Sequence, residues 1–532
     1  MKTIFSKFSL CLILALCAGN FSPIKAQNNA APRIENLTAS ANWQTQTITL
    51  SFDALDTEND PLTISLFVSD NFGKTYALGN AVSASGYIGS GLPPGNGKTI
   101  TVSLSTPANG VQNLTLRVVA DDKMPFDWQA LINSVDSNRL RSDLDFVQGI
   151  RHRSTGAQHL VAVRDSLRNL FQNSDFFTED HTFTFINTTG INVVGSAAGT
   201  TAAEKVVIID AHYDTVSNAP GADDNGSGVV GVMEIARLLS RYPSEKTLRF
   251  IGFDFEESGL IGSTRYATNG LGAGETVEGV FNFEMIGYYS EAPNSQNLPA
   301  GFNLLFPTQT AQIEANQRRG DFIANVGNAN SAGLSALFQT TAATYVPDLK
   351  VITLNVPGNG SVAPDLRRSD HAPFWDKGYK ALMLTDAADF RNACYHKPCD
   401  TFENKLNFTF MSRIVQTTLG SAAQLAGLIH GDAASVTVQN PSDTHTPAFD
   451  CGLSAWYSPV QRAVLVEMQD CMRSKFQFEL YDTRGVLLHS SSMDGSGKER
   501  LSIDLRGDLP PGIYTALFRS NAQQVVRRLA IR

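Results

Sequence analysis

Positive charge is scarce in this sequence of 532 residues, which carries 42 lysines and arginines against 51 aspartates and glutamates. The formal net charge is -9, and the basic residues form no run. Binding to a phosphate backbone needs clustered positive charge, so the sequence argues against a nucleic-acid partner. Beyond its N-terminus it also lacks an apolar run of the ~20 residues that cross a bilayer. We therefore expect no transmembrane segment.

One long apolar run lies at the N-terminus. Lys2 and Lys7 precede this run, which covers residues 8–18, and small residues follow around Ala26. A basic part, an apolar part and a small-residue exit are typical of an export signal, which we assign to residues 1–26. The mature protein is therefore expected to be exported and soluble.

Cysteine is also rare, with six in the whole chain. Cys11 and Cys17 fall within the export signal, which leaves four for the mature protein: Cys394, Cys399, Cys451 and Cys471. An even number in an exported chain suggests two disulfides, and sequence neighbours are the natural pairs. The first pair brackets His396. This stretch alone does not decide between a small structural loop and a loop that presents a metal ligand.

The length suggests about three structural units, and the composition of 42% hydrophobic and 17% charged residues is that of soluble globular proteins. Between residues 33 and 122, alternating apolar and polar segments are separated by Gly, Pro and Asn turns. This pattern predicts a β-sandwich of immunoglobulin or fibronectin type, to which we assign residues 27–122. Its acidic turn at 56–62 is either a calcium site or an exposed turn.

Residues 123–434 change to apolar strands interleaved with helical periods. The apolar run 206–209 is expected of a strand buried on both faces, and an amphipathic helical segment at 227–242 follows it. Strand, helix and strand in this order predict an α/β fold with a central mixed β-sheet flanked by helices. The functional site is expected at the carboxyl ends of the strands. Residues 435–532 return to a strand pattern and are assigned to a linker and a C-terminal β-sandwich.

Four polar clusters stand where the apolar strands end. In chain order they supply His212 with Asp214, Asp223 with Asp224, Glu256 with Glu257, and Glu284. Plain structural explanations exist for them, such as a satisfied strand end, a helix cap or a salt bridge from a buried carboxylate. The adjacent glutamates, however, suit a division of labour in which one binds metal and the other moves protons.

His396 adds a second imidazole to these clusters. Together they offer two histidine nitrogens and three carboxylates as metal ligands: His212, His396, Asp224, Glu257 and Glu284. This set is enough for two zinc ions that share one bridging carboxylate. Each cluster is weak evidence alone, but the ordered set is strong.

In order and spacing, the clusters resemble those of the secreted two-zinc aminopeptidases, in the family that also contains glutaminyl cyclases and glutamate carboxypeptidases. The resemblance covers roughly residues 125–430 and implies a zinc exopeptidase-like fold. One zinc ion would then lie on His212, Asp224 and Glu284. A second would lie on Asp224, Glu257 and His396, with Asp224 as the bridge.

The same resemblance implies roles for further residues. Glu256 would be the general base, Asp214 would orient His212, and Tyr395 would help to polarise the scissile carbonyl. The cysteines around His396 resemble a disulfide found beside the last zinc histidine in some secreted members. Many two-zinc members carry Asp in place of Glu284, so the number of zinc ions is either two or one.

The stretch "SDHAPFW" at residue 369 also resembles a family segment near the pocket. The family's last zinc histidine lies in the "YH" element, which assigns that role to His396. Asp370 and His371 would then support the metal ligands or face the substrate. The alternative is a helix-capping Ser369 with a structural His371.

The last ~75 residues, with "YDTRGVLL" and "LPPGIYTALF", resemble the sorting domain of the type IX secretion system of Bacteroidetes-type bacteria. This implies secretion machinery as a partner and a secreted or cell-surface location, reached through the periplasm. A plain β-sandwich appendage is the alternative.

The leading functional hypothesis is a secreted zinc aminopeptidase that acts on peptides, with Glu256 as its general base. Within the same fold, a glutaminyl cyclase would use a single zinc ion to form N-terminal pyroglutamate. A catalytically silent surface protein is the third possibility, suggested by the flanking β domains. The complete ligand set argues against it.

Overall fold

The computed structural model describes residues 29–78, 82–104 and 113–439, together with seven strands between residues 454 and 531. The expected export signal and the expected Cys451–Cys471 disulfide lie outside the described residues. Among the described residues, no helix is both long and apolar enough to pass through a bilayer.

Two antiparallel four-stranded sheets form the N-terminal unit. Seven of their strands come first in the chain: β1 (Arg33–Asn42), β2 (Thr47–Leu55), β3 (Leu62–Ser69), β4 (Val82–Gly86), β5 (Gly89–Leu92), β6 (Gly95–Leu104) and β7 (Asn113–Asp121). Alternate residues such as Ile48 and Leu50 of β2 are buried, and they share one core with Ile64 and Leu116 of the other sheet. The inward-facing side chains of both sheets thus build a β-sandwich.

The eighth strand of this sandwich comes from far along the chain. It is β16 (Gly431–Gln439), which runs antiparallel to β7 with Gly431 opposite Asp121 and Gln439 opposite Asn113. The boundary expected at residue 434 falls inside this strand. Alternating burial identifies a strand but not its partner, and the sequence pattern had placed only residues 435–439 of this strand in the linker and C-terminal unit. The central unit is inserted between two strands of the sandwich.

A mixed eight-stranded sheet forms the middle of the central unit, as predicted. Its strands are β8 (Phe177–Phe185), β9 (Thr188–Ala197), β10 (Ala202–His212), β11 (Lys246–Phe253), β12 (Thr276–Glu284), β13 (Ile323–Asn328), β14 (Val351–Val356) and β15 (Ala381–Thr385). The spatial order is β14-β13-β15-β12-β10-β11-β9-β8, in which β10 lies parallel to both β11 and β12. The antiparallel pairs are β8 with β9, β9 with β11, and β13 with β15.

Helices cover both faces of this sheet. They are α1 (Trp128–Asn133), α2 (Ser137–Val147), α3 (Ala157–Asn173), α4 (Gly228–Leu239), α5 (Ile261–Asn269), α6 (Phe302–Leu305), α7 (Pro307–Ala315), α8 (Ala332–Tyr345), α9 (His371–Asp376) and α10 (Phe408–Ala426). Val207 and Ile209 of β10 belong to one apolar core, and Val206 and Ile208 belong to the other. The strand is therefore buried on both faces, as its unbroken apolar run predicts.

The described part of the C-terminal unit consists of strands alone. β17 (Ser454–Ser458), β18 (Ala463–Glu467) and β21 (Arg500–Asp504) form one antiparallel sheet. A second antiparallel sheet has the order β20-β19-β22-β23, from β19 (Lys475–Tyr481), β20 (Leu487–Asp494), β22 (Gly512–Arg519) and β23 (Gln524–Ile531).

Candidate metal centre

The predicted site residues meet at the carboxyl edge of the central sheet. His212 ends β10 and Glu284 ends β12, and these strands are parallel neighbours, so both side chains reach the same edge. Glu256 and Glu257 lie in the turn after β11, and Asp224 lies in the tight segment that leads into α4. The chain folds so that each loop brings one or two polar residues to one place.

His212 lies at the centre of the first group of side chains. Its imidazole is fully buried, and Nε2 lies 3.4 Å from Asp224 Oδ1, 3.5 Å from Glu284 Oε2 and 3.8 Å from Glu256 Oε2. Nδ1 lies 3.2 Å from the backbone oxygen of Asp214. A carbonyl oxygen only accepts hydrogen bonds, so Nδ1 carries the proton. In the neutral ring, Nε2 then presents a lone pair to the carboxylates, which is the form that binds metal.

His396 forms the second group. Its Nε2 lies 3.0 Å from Asp224 Oδ2 and 3.1 Å from Glu257 Oε2. The two oxygens of Asp224 therefore face different histidines, Oδ1 toward His212 and Oδ2 toward His396. This is the arrangement expected of a carboxylate that bridges two ions.

The two groups fit metal ions in spacing and in hydrogen bonding. Ligand atoms of His212, Glu256 and Glu284 lie within 4.8 Å of one another, as do those of Asp224, Glu257 and His396. Tetrahedral ligands about 2.0–2.2 Å from zinc are about 3.3–3.6 Å apart, close to the observed separations. His212 Nε2 and Glu257 Oε1 are buried without a hydrogen-bond partner. Buried polar atoms of this kind are normally satisfied, and a cation would satisfy both.

The crowding of carboxylates around two histidines perturbs the pKa of several groups. Burial raises the pKa of Glu257 to about 7 and holds that of Glu256 well above its ordinary value. Burial lowers the pKa of His396, but contacts with Asp224 and Glu257 outweigh this effect and raise it to about 10. At Asp224, burial works to raise the pKa, but the two histidines outweigh it and hold the pKa below its ordinary value.

Asp214 supports both glutamates of the turn. Its Oδ1 accepts a hydrogen bond of 3.1 Å from the Glu256 N–H, and its Oδ2 accepts one of 3.3 Å from the Glu257 N–H. The Asp214 carboxylate lies 3.6 Å from His212 Nδ1, beyond hydrogen-bond distance. Asp214 thus contacts His212 through its backbone oxygen, while its carboxylate holds the turn that bears the glutamates.

The loop that carries His396 is closed by a disulfide between Cys394 and Cys399. Tyr395 stacks on the His396 ring, with centroids 3.8 Å apart and an angle of 20° between the planes. The loop between the two cysteines therefore holds His396 against the carboxylates of Asp224 and Glu257.

Comparison with known proteins bears out both resemblances. Residues 192–422 match peptidase family M28, and residues 455–532 match the secretion system C-terminal sorting domain. The central unit is thus similar to peptidase family M28, and we refer to the matched segment as the M28 unit and to its cluster of candidate ligands as the M28 site. The match begins within β9, before His212, and ends within α10, the helix that follows the His396 loop.

Three curated relatives of the M28 unit illustrate the range of the likeness. The uncharacterized protein YfbL of Escherichia coli is 36% identical over 222 residues, which are 40% of this chain and 64% of YfbL. The leupeptin-inactivating enzyme 1 of Streptomyces exfoliatus is 28% identical over 70% of this chain and 83% of its own length. Aminopeptidase YwaD of Bacillus subtilis is 42% identical over 19% of this chain and 23% of its own length. The chain thus spans less than two thirds of YfbL and about a quarter of YwaD.

Asp400, which the sequence analysis missed, anchors the segment around Asp224 in the M28 unit. Its carboxylate accepts the backbone N–H groups of Asp223 at 3.0 Å and Asp224 at 3.1 Å. The Asp223 carboxylate points elsewhere and accepts hydrogen bonds from Asn392 Nδ2 and the Gly287 N–H. Of these two aspartates, Asp223 therefore connects neighbouring loops by hydrogen bonds, and Asp224 faces the histidines. The position of Asp400 directly after the Cys399 loop was the available sequence signal.

The segment at residue 369 supports the M28 site from a second side. Ser369 Oγ donates a hydrogen bond of 2.5 Å to Glu284 Oε2. Asp370 is fully buried, and no hydrogen bond reaches either of its carboxylate oxygens. His371 is fully buried, its Nε2 lies 3.0 Å from the Leu366 backbone oxygen, and burial lowers its pKa to about 3. This environment favours the structural alternative for His371.

An apolar cavity opens beside the M28 site. It has a volume of about 690 Å³, part of it open to solvent, and Glu284 and Tyr395 form part of its wall. Most of the remaining wall is hydrophobic and includes Leu298, Phe302, Phe322, Ala324, Leu354 and Met383. A space of this kind suits an apolar side chain of a ligand that reaches the metal centre.

Proposed function

We propose that the protein is a secreted zinc-dependent aminopeptidase that removes N-terminal residues from peptides. The observation that carries the proposal is that the two oxygens of Asp224 face two different histidines, Oδ1 toward His212 and Oδ2 toward His396. The similarity of the central unit to a peptidase family supports it, as do relatives whose names describe an aminopeptidase and a peptide-inactivating enzyme.

His212, Asp224 and Glu284 would hold one zinc ion, and Asp224, Glu257 and His396 would hold a second. Bound zinc supplies Lewis acidity, which lowers the pKa of a water ligand and polarises a peptide carbonyl. The shared carboxylate brings both positions into one buried space, where electrostatic stabilisation is strong.

Glu256 is placed to move the proton. Its carboxylate lies 3.8 Å from His212 Nε2, beside the groups that would bind the ions and partly open to the cleft. It takes a proton from the attacking water and returns it to the leaving amine, while the Tyr395 hydroxyl donates to the oxygen of the reacting carbonyl. Asp214 holds the glutamate turn through two backbone N–H groups, which keeps Glu256 in position.

Preference for a free N-terminus follows from the excess of carboxylates. The substrate ammonium would lie near the negative carboxylates of Glu256 and Glu284. An acetylated N-terminus is uncharged and would lose this electrostatic attraction. The cavity beside Glu284 would then receive the first side chain of the peptide. Its hydrophobic wall favours leucine and phenylalanine over charged residues at this position.

The C-terminal sorting domain indicates export by the type IX secretion system. We propose that the protein passes through the periplasm with an N-terminal export signal, meets the secretion machinery through this domain and acts outside the cell or at its surface. Peptides are its proposed substrates.

The test is mass spectrometry of peptides incubated with zinc-loaded protein and with Glu256→Gln. Peptides beginning with Leu, Phe, Gln or Glu, each with a free and an acetylated N-terminus, form the panel. Stepwise loss of N-terminal residues from the free peptides, absent in the variant, is the expected result. Loss of ammonia confined to the Gln peptide would instead indicate a glutaminyl cyclase, and unchanged peptides throughout would indicate a silent protein.

A further inference from the structure

We propose that Arg368 is a positioning residue that directs the hydroxyl proton of Tyr395 toward the substrate carbonyl. This inference rests on the proposed aminopeptidase function and assigns a role to a side chain that lies outside both metal-ligand groups.

Among the described residues, the hydroxyl of Tyr395 is the nearest polar partner of the Arg368 guanidinium. Arg368 Nη2 donates to Tyr395 Oη at 3.0 Å, and its guanidinium carbon lies 5.5 Å from the phenol ring centroid. Carboxylate oxygens of Asp389 and Asp365 are farther from Arg368, at 3.6 and 3.9 Å. These two ion pairs are well exposed, so they contribute little energy.

The chemistry of the pair sets the direction of the phenol proton. A guanidinium has donors and no acceptor, so the phenol oxygen must accept from Arg368 and its own O–H must point elsewhere. Stacking on His396 fixes the Tyr395 ring, which leaves the hydroxyl rotor as the remaining freedom. An accepted hydrogen bond also polarises the O–H and makes it a stronger donor.

Arg368 shares one cavity wall with Tyr395 and with carboxylates that could attract the hydroxyl proton. Arg368, Tyr395 and Glu284 all line the apolar cavity beside the site. Glu284 and Asp365 are the carboxylates in this wall. Arg368 occupies one side of the phenol oxygen and adds positive charge there, which favours an O–H directed at the substrate.

Neighbours of Arg368 in the chain support the same site. Ser369, the next residue, donates to Glu284. Arg367, the preceding residue, turns away and pairs with Asp376 at 2.6 Å and with the Asn359 backbone oxygen. The two adjacent arginines thus have different partners, so a substitution of Arg367 is a matched control for the same substitution of Arg368.

The experiment is a double-mutant cycle between Arg368→Gln and Tyr395→Phe, measured as kcat and KM on a peptide with free N-terminal leucine. Because this hydrogen bond is exposed to solvent, Arg368→Gln should lower kcat roughly 3- to 10-fold, with KM changed less than about twofold. In the Tyr395→Phe background, the same change should lower kcat by less than about twofold, because the group that Arg368 positions is gone. Arg367→Gln should leave kcat within about twofold of the wild type.

Zinc content and thermal unfolding are measured for every variant, so that loss of metal or fold is separated from loss of positioning. If Arg368→Gln does not fold, Arg368→Lys takes its place in the cycle, since its ammonium lacks the planar fork. Independent losses that multiply in the double variant, or a change in KM alone, overturn the role of Arg368 while leaving the aminopeptidase proposal intact. A wild-type protein that cleaves no peptide overturns both.

Discussion

Ser369 Oγ donates a hydrogen bond of 2.5 Å to Glu284 Oε2, the same oxygen that lies 3.5 Å from His212 Nε2. Glu284 has one more methylene than an aspartate would have at this position, and thus more rotamers. The hydroxyl of Ser369 selects one of them and fixes one oxygen toward His212. A partner that orients a ligand in this way contributes to metal affinity without touching the ion.

Substitution Ser369→Ala should therefore weaken zinc binding by about 10- to 100-fold at the His212 position. Competition with a chromophoric chelator measures the dissociation constant. The control is Ser361→Ala, at an exposed serine earlier in the same segment. Unchanged affinity in Ser369→Ala would show that Glu284 holds its conformation without the hydroxyl.

Zinc stoichiometry should distinguish the shared carboxylate from an unshared one. Glu257→Ala removes a ligand from the His396 position alone, so the protein should retain about one zinc ion per chain. Asp224→Ala removes a ligand from both positions, so its zinc content should be lower than that of Glu257→Ala. Elemental analysis of dialysed protein provides the count. Equal zinc content in the two variants would contradict a bridging role for Asp224.

His371 should contribute to the pH dependence of stability, because burial lowers its pKa to about 3. The unfolded chain binds a proton at this histidine below about pH 6.5, and the folded chain does not until about pH 3. The free energy of unfolding should therefore fall as the pH drops through this window, by at most about 1.4 kcal/mol per pH unit. His371→Gln lacks the titrating group, so its stability should fall less steeply with acid. Chemical denaturation between pH 4 and 8 measures both slopes, and parallel curves would contradict the assignment.

A chain that ends at residue 434 should be less stable than one that ends at residue 439. The shorter chain lacks the second half of β16, including Val436 and Val438, which pack against the core of the sandwich. Loss of a buried valine costs about 1–3 kcal/mol, and the exposed edge of β7 loses its partner as well. Thermal unfolding of the two truncated proteins provides the comparison. Equal midpoints would show that the strand is dispensable.

The local hydrophobic periodicity of the sequence was enough to predict much of the fold. The unbroken apolar run at 206–209 predicted a strand covered on both sides, and Val206 and Val207 do enter different cores. The polar residues after successive apolar strands predicted a common site, because parallel strands end at one edge. Identity and order of residues carried this information, and both can be read without knowledge of distant contacts.

Other features depended on contacts between residues far apart in the chain. The strand at 431–439 has the same alternation as a strand of any sheet, and only burial against β7 decided that it belongs to the N-terminal sandwich. The same holds for Asp400 beneath Asp224 and for Arg368 beside Tyr395, since a side chain's hydrogen-bond partner is set by which loops pack together. The sequence by itself determined the kinds of elements and the candidate ligand residues. The tertiary structure decided which strands pair, which histidine each oxygen of Asp224 faces and which residues hold the candidate ligands in place, because those depend on long-range packing that local patterns do not encode.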